Sequence, residues 1–297
     1  IDPEEVAVWL ASNATPHEQA PGIAATIKCH FVGFDNQSPT FTTSSACVGF
    51  NINIERAVDY FATHSEAKHI VIVHTEVMSR LLTNEPSFVP FVTFADAAAA
   101  VILSRTKVHS GAGITHVINA EDMKMIDFLG ADKNGDLYMN PGKVRERATT
   151  NITNIVQDLY AKNEWSNDIV DMVVPHQTGN AIVIAAAKQL QIPPQKLYQE
   201  VQYKYGNLSG ASVPFSLALL NKENKLKPGT KIIEEPIKDL GFPSEAKIGA
   251  GVGSMGVSII MIQISLSRLL KFSVLVPALS RNSRINSADR LQLALSI

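Results

Sequence analysis

Apolar residues fall along the chain in short blocks with two different spacings. Residues 6–11, 70–73 and 170–174 are nearly continuous apolar runs, the pattern of strands covered on both faces of a sheet. Residues 257–262 form a further run of that kind. Between these runs lie helical patterns at residues 22–31 and 180–190. After Cys47, the residues Phe50, Ile54, Ala57, Val58 and Phe61 recur at helical spacing and predict an amphipathic helix. Residues 149–160 read as a helix opening a second half, and residues 111–113 and 132–136 carry the small and polar residues of turns. Strands that alternate with helices predict parallel sheets built from βαβ units.

The order of these elements repeats. A strand followed by Pro-His and then a helix occurs at Pro16-His17 and again at Pro175-His176, 159 residues apart (175 minus 16). Ser-Glu-Ala-Lys introduces a strand at Ser65 and again at Ser244, 179 residues apart (244 minus 65). Two offsets of similar size in the same order predict an internal duplication. The division expected is a first half over residues 1–148, a second over 149–264, and a basic tail over 265–297 with no counterpart earlier in the chain. That tail is expected to be a poorly ordered appendage, with a basic membrane or partner helix as the less favoured reading.

Composition narrows the function by exclusion. With 297 residues, 45% hydrophobic and 18% charged, the chain has ample material for a core. A formal net charge of −2 gives no electrostatic case for nucleic acid or a membrane surface. The two cysteines, Cys29 and Cys47, form no disulfide framework and suit a reducing cytoplasm. No apolar run reaches the roughly 20 residues of a membrane span. The chain opens at Ile1 without an initiator Met or a signal-peptide pattern.

Chemistry concentrates at three element tips. Cys47 lies in Ser44-Ser45-Ala46-Cys47-Val48-Gly49-Phe50, where a strand hands over to the predicted helix. Unpaired N–H groups and the helix dipole favour a thiolate there, and the same N–H groups can hold an oxyanion. Cys29, inside a helix, is expected to be a packing residue. His176 follows the strand 170–174, at a carboxyl edge where ligands gather in α/β sheets. Asn207 lies in Gly206-Asn207-Leu208-Ser209-Gly210, a segment whose glycines allow a tight loop. Read alone, the Cys, the His and the Asn are as ordinary as any packed thiol, structural histidine or turn former. Together they point to acyl transfer, because a carboxamide donates hydrogen bonds without being basic. Two other patterns fail. Gly251 to Gly256 imitates a dinucleotide fingerprint but leads into a strand with no acidic residue at the expected distance. Asp132, Asn134 and Asp136 imitate a calcium loop but are followed by Leu137 where glycine is required. No metal site is expected.

These segments resemble the thiolase superfamily, and most of all its β-ketoacyl-[acyl-carrier-protein] synthase III family. The matching stretches are Ser44 to Phe50, Phe94 to Val101, Val174-Pro175-His176-Gln177, residues 205–214 and the glycine-rich segment ending at Gly256. The resemblance implies an α/β fold of two duplicated βαβαβ halves in five αβαβα layers, here without the family's first unit. It implies a homodimer that condenses an acyl-CoA primer with malonyl-acyl carrier protein; a cytoplasmic location and no cofactor are expected alongside it. By position, Cys47 would carry the acyl group, and His176 and Asn207 would hold the malonyl thioester carbonyl. The oxyanion hole would be formed by Cys47 with Gly251 and Gly253. Carrier-protein contacts would fall on Gln177, Asn180 and Ala181, although Ala181 stands where the family usually has Arg. The alternatives are a non-condensing acyltransferase on the same fold and a catalytically impaired fragment.

Overall fold

The computed structural model describes residues 1–82, 88–105, 113–132, 135–227, 230–235, 256–263 and 270–275. The first half runs β1 (Val6–Ser12), α1 (Ile23–Val32), β2 (Thr40–Thr43), α2 (Gly49–Thr63), β3 (His69–Glu76), α3 (Phe88–Thr93) and β4 (Ala97–Ser104). There follow β5 (Gly113–Glu121), a hairpin of β6 (Leu129–Ala131) and β7 (Leu137–Met139), and α4 (Pro141–Asn163). The chain continues through β8 (Met172–Pro175), α5 (Asn180–Gln189), α6 (Glu200–Tyr205), α7 (Ser212–Lys222), β9 (Lys231–Glu235), β10 (Gly256–Gln263) and β11 (Leu270–Leu275).

Two larger sheets result, ordered β11-β4-β3-β1-β2 and β5-β10-β9-β8. They are mixed, not parallel as the strand–helix alternation predicts. β1 is parallel to β2 and β3, but β4 runs antiparallel to β3, and β10 runs antiparallel to both β9 and β5. The expectation fails because it treats every connection as a helical crossover. The link from β3 to β4 passes through a short 3-10 turn and the single turn and a half of α3, and it brings the chain back in the opposite direction.

The layers follow from which faces are apolar. α1 lies against β1 and β2 on the outside of the first sheet, and α4 packs on α5 and β10 outside the second. α2 touches β1 and β3 of one sheet and β5 and β10 of the other, while α7 touches β4, β11 and β8. These two helices form the middle layer of a five-layered αβαβα stack. Phe50, Ile54 and Ala57 of α2 are buried there with Ile70, Ile72, Phe215, Leu217 and Ile232. Truncating such a phenylalanine to alanine typically costs about 3–5 kcal/mol. Val58, expected on the buried stripe, is instead 40% exposed, because the stripe is narrower than the periodicity suggests. A second core joins Ile152, Leu159, Val173, Ile182 and Ile233.

Three further expectations change. The helix expected at 149–160 starts eight residues earlier, where Asn140 caps it by accepting from Lys143 N–H and Pro141 occupies its first turn. β5 already belongs to the second sheet, ahead of residue 149. Residues 270–275 of the tail are not an appendage or a helix: β11 pairs with β4 from Leu270↔Leu103 to Leu275↔Ala98. The strand expected after Ser244 and the rest of the tail lie outside the described residues.

Candidate active site

Cys47 sits in the middle of a 3-10 turn, Ala46–Val48, that feeds directly into α2. Val48 gives α2 no side-chain cap, so the helix start keeps donors for something other than its own cap. Ala46 takes φ 35°, a conformation costly for a residue with a side chain. It turns the thiol off the end of β2 and towards the middle layer. Cys47 is buried at 7% exposure, whereas Cys29 is half-buried in α1.

A second turn faces the first. Ser209–Ala211 is a 3-10 turn that runs straight into α7, with Ser209 at φ 52°. The two turns touch, and Cys47 Sγ lies 3.6 Å from Ser209 Oγ. Asn207 stands just ahead of this turn. Its N–H donates to Thr93 O at 2.7 Å, and its carbonyl accepts from Ala95 N–H at 2.9 Å. Gly206 makes this possible: it has φ 81°, and a side chain there would come within 2.7 Å of Thr93 O. The Asn207 side-chain oxygen accepts from Ser209 N–H at 2.9 Å. The amide's donor end, Nδ2, is left as its chemically useful face.

His176 follows β8 and is 2% exposed. Burial, with a smaller contribution from charge on His74, pushes its pKa down to about 3. The ring is therefore neutral near pH 7, and its Nδ1 has no hydrogen-bond partner among the described residues. The echo of Pro175-His176 in the first half does not share this setting, because His17 is exposed.

Beneath the thiol lies a polar cluster that the sequence reading did not single out. His74 and Glu76 end β3, two residues apart and so on one face, and both are essentially unexposed. His74 Nε2 lies 3.1 Å from Glu76 Oε1. Glu76 also accepts from Ala14 N–H at 3.1 Å, from Thr15 Oγ1 at 2.9 Å and from Ser209 Oγ at 3.5 Å. Cys47 and Asn207 thus both meet Ser209, and His176 is near enough to His74 to feel its charge.

The other expected site residues divide. Gly251 and Gly253 lie outside the described residues. Gln177 is wholly buried: its Nε2 donates to Pro175 O at 2.7 Å and its Oε1 accepts from Gln202 N–H at 3.1 Å. These bonds brace β8 against α6. Asn180 accepts from Gln199 Nε2 at 3.3 Å, and Ala181 is exposed at the start of α5. Among the described residues there is no cluster of ligands able to hold a metal, and no helix long and apolar enough to cross a membrane.

Two family profiles match the chain. One, described as 3-oxoacyl-[acyl-carrier-protein (ACP)] synthase III, covers residues 41–122, and one for the C-terminal part of that synthase covers residues 160–245. The beta-ketoacyl-[acyl-carrier-protein] synthase III of Phocaeicola vulgatus is 30% identical over 247 residues, which are 78% of this chain and 71% of that protein. The protein of the same name from Aquifex aeolicus is 28% identical over 233 residues, 78% of this chain and 73% of its own. The crystal structure of 3-oxoacyl-[acyl-carrier-protein] synthase III from Aquifex aeolicus superposes with a TM-score of 0.75 at 25% identity, over 89% of this chain and 79% of that one.

Proposed function

The chain is an enzyme of the 3-oxoacyl-[acyl-carrier-protein] synthase III family, with its thiolase fold, and we propose that it joins an acyl-CoA primer to a malonyl group carried by acyl carrier protein. The product is a 3-oxoacyl thioester, and the acyl group passes through Cys47. In the first half-reaction the Cys47 sulfur adds to the acyl-CoA carbonyl. N–H groups at the start of α2, with one from the segment holding Gly251 and Gly253, hold the oxyanion until CoA leaves. In the second, His176 and Asn207 donate to the malonyl thioester carbonyl while carbon dioxide departs. The resulting enolate carbon attacks acyl-Cys47, and the sulfur is released as the new carbon–carbon bond forms.

The observation that carries this reading is that Asn207, joined through Ser209 to the buried Cys47 thiol, and His176, near enough to feel charge on His74, are donors of little basicity. His176 is held neutral by burial, and Asn207 has its oxygen already engaged by Ser209 N–H. Such a pair stabilises an enolate oxygen but cannot remove a proton from an alcohol or amine acceptor. That supports condensation over non-condensing transfer.

The partners follow with the same reading. The carrier protein would meet the surface around Asn180 and Ala181. Nearby basic residues are partly committed: Arg147 pairs with Asp122, and Lys143 lies over the Phe128 ring at 4.8 Å. A homodimer is supported by β2, an edge strand of the first sheet with Phe41 exposed. A second copy paired there would cover that edge.

One experiment tests the chemistry. The protein is incubated with a panel of acyl-CoAs and weighed intact, and carbon dioxide release from labelled malonyl carrier protein is followed separately. Cys47→Ala should lose the acyl adduct, and Cys29→Ala should keep it. His176→Ala and Asn207→Ala should still take the acyl group, while decarboxylation falls by about 100- to 1000-fold, as for loss of one oxyanion donor. An adduct that persists in Cys47→Ala, or equal loss of both half-reactions, would overturn the assignment.

A further inference from the structure

None of the groups assigned to the two half-reactions takes the proton from the Cys47 thiol. His176 is needed neutral for the second substrate, and Asn207 is not basic. A carboxylate that no step uses lies one hydroxyl away. Glu76 is buried beneath the two facing turns, and Ser209 Oγ stands between its Oε1, at 3.5 Å, and Cys47 Sγ, at 3.6 Å.

We propose that Glu76 receives the Cys47 proton through the Ser209 hydroxyl, and that His74 is a positioning residue that fixes the carboxylate for this task. The proposal rests on Cys47 being the acylated residue. The direction of the relay follows from hydrogen counting. Ser209 has one hydroxyl proton, and it is given to Glu76 Oε1. Towards Cys47 the same oxygen can only accept, so the thiol is the donor. Both contacts are at the long end of hydrogen bonding, as catalytic contacts often are before substrate binds.

The surroundings hold the carboxylate in one orientation. Thr15 Oγ1 anchors Oε2 at 2.9 Å, and Ala14 N–H reaches both oxygens at 3.1 Å. His74 Nε2 holds Oε1 at 3.1 Å. His74 is itself clamped by two glycines. A side chain on Gly49 would lie 3.1 Å from His74 Cε1, and one on Gly210 would lie 2.1 Å from it. The ionisable groups around Glu76 are His74 in direct contact, Cys47 through Ser209, and His176, which feels charge on His74. Arg80 is near, but it donates to the Thr15 carbonyl at 3.1 Å.

The step balances. The Cys47 S–H bond breaks and its proton passes to Ser209 Oγ, while the Ser209 proton passes to Glu76 Oε1. This leaves a thiolate and a carboxylic acid. The thiolate adds to the acyl-CoA carbonyl, and the tetrahedral adduct collapses with both electrons of the broken C–S bond on the CoA sulfur. The Glu76 proton returns through Ser209 to that sulfur. CoA leaves as the thiol, and the carboxylate is restored.

The test compares native protein with Glu76→Gln, Ser209→Ala and His74→Gln. Two rates are followed from pH 6 to 10: acetylation of Cys47 by acetyl-CoA in rapid-quench mass spectrometry, and alkylation of Cys47 by iodoacetamide. Near pH 7, Glu76→Gln and Ser209→Ala should slow acetylation by about 100-fold, the lower end of general-base effects. The deficit should shrink towards nothing above about pH 8.5, where an ordinary thiol ionises unaided. His74→Gln should show a smaller deficit of the same pH shape. Ser209→Ala keeps the backbone donor that Asn207 accepts, so it carries the test alone if Glu76→Gln does not fold. A deficit that is the same at every pH would mean that the cluster is only structural. Variants with native profiles would mean that the helix start activates the thiol unaided. Either result overturns the relay. If Cys47→Ala still takes acetyl, the acyl-cysteine assignment fails instead, and the alkylation profiles still decide whether Glu76 draws the proton from Cys47.

Discussion

His176 gains nothing by being charged in its pocket. Burial, with the charge that His74 can carry, lowers its pKa to about 3. In the unfolded chain the ring returns to an ordinary value of about 6.5. Above that value it is neutral in both states and does not affect folding. Between about 6.5 and about 3 the unfolded chain binds a proton that the folded protein refuses, so stability falls as pH falls. The slope from this one group approaches about 1.4 kcal/mol per pH unit within that window. Urea unfolding of native protein and His176→Asn between pH 7 and 4.5 should therefore give two lines of different slope, with the variant flatter. Parallel lines would mean that the folded ring titrates normally and is solvated. The same burial explains what the sequence could reveal of the site. Cys47, His176 and Asn207 stand out because each puts a chemically active group at the tip of an element or in a glycine-bounded loop. His74 and Glu76 do too, at the end of 70–73, but they read as the polar finish of a strand. Their meaning depends on Ser209, which lies 133 residues beyond Glu76, and no local pattern encodes that pairing.

At the scale of elements, the site is two short turns set face to face, each opening a helix of the middle layer. Both begin with a residue at positive φ, Ala46 and Ser209, and both leave their helix without a side-chain cap. Gly210 lets them meet. A side chain there would come within 2.5 Å of the Ala46 carbonyl and 2.1 Å of His74 Cε1, one of them backbone and the other a ring with no room to turn. Gly210→Ala should cost about 1–3 kcal/mol, the range for overpacking, and should also slow Cys47 acylation by pushing the turns apart. Gly142→Ala is the matched control, because its nearest neighbour would be Asn140 Oδ1 at 3.8 Å in the first turn of α4. Thermal melts and acylation rates of the two variants check this; a Gly210→Ala protein as stable and reactive as the control would show that the turns adjust freely. In this region α2 and β3 were legible from a helical periodicity and an apolar run, whereas α7 and β4 were not read from the spacing. Strand direction was not legible either. Hydrophobic spacing is blind to polarity, so the antiparallel return of β4 beside β3 had no signal in the spacing.

Over the whole molecule, the duplication is most visible in how each sheet ends. In the second sheet, β10 is flanked on its outer side by antiparallel β5, the strand that enters that sheet first. In the first sheet, β4 is flanked in the same way, but by β11 from the tail. The tail was expected to hang free because its basic residues dominate its composition. A second signal was present in Leu270-Lys271-Phe272-Ser273-Val274-Leu275, where apolar and polar residues alternate at the period of a strand with one buried face. Without β11, β4 would expose a full row of unpaired backbone groups, a template for pairing with other chains, and α7 would lose a strand it packs on. Each ladder hydrogen bond contributes about 1 kcal/mol net, so several kcal/mol are at stake. At roughly 2–4 °C per kcal/mol for a chain of this size, ending the protein at Gln263 should lower Tm by about 10 °C and make it aggregate in proportion to its concentration. A chain ending at Leu275 retains the strand, so comparing it with the chain ending at Gln263 isolates the contribution of residues 264–275. Cys47 acylation should survive in the shortened chain at low temperature, because β11 lies on the far side of β4 from β3 and its His74–Glu76 pair. Scanning calorimetry and light scattering on the three lengths decide it. If the chain ending at Gln263 melts with the full-length protein, β11 contributes nothing to the sheet it completes.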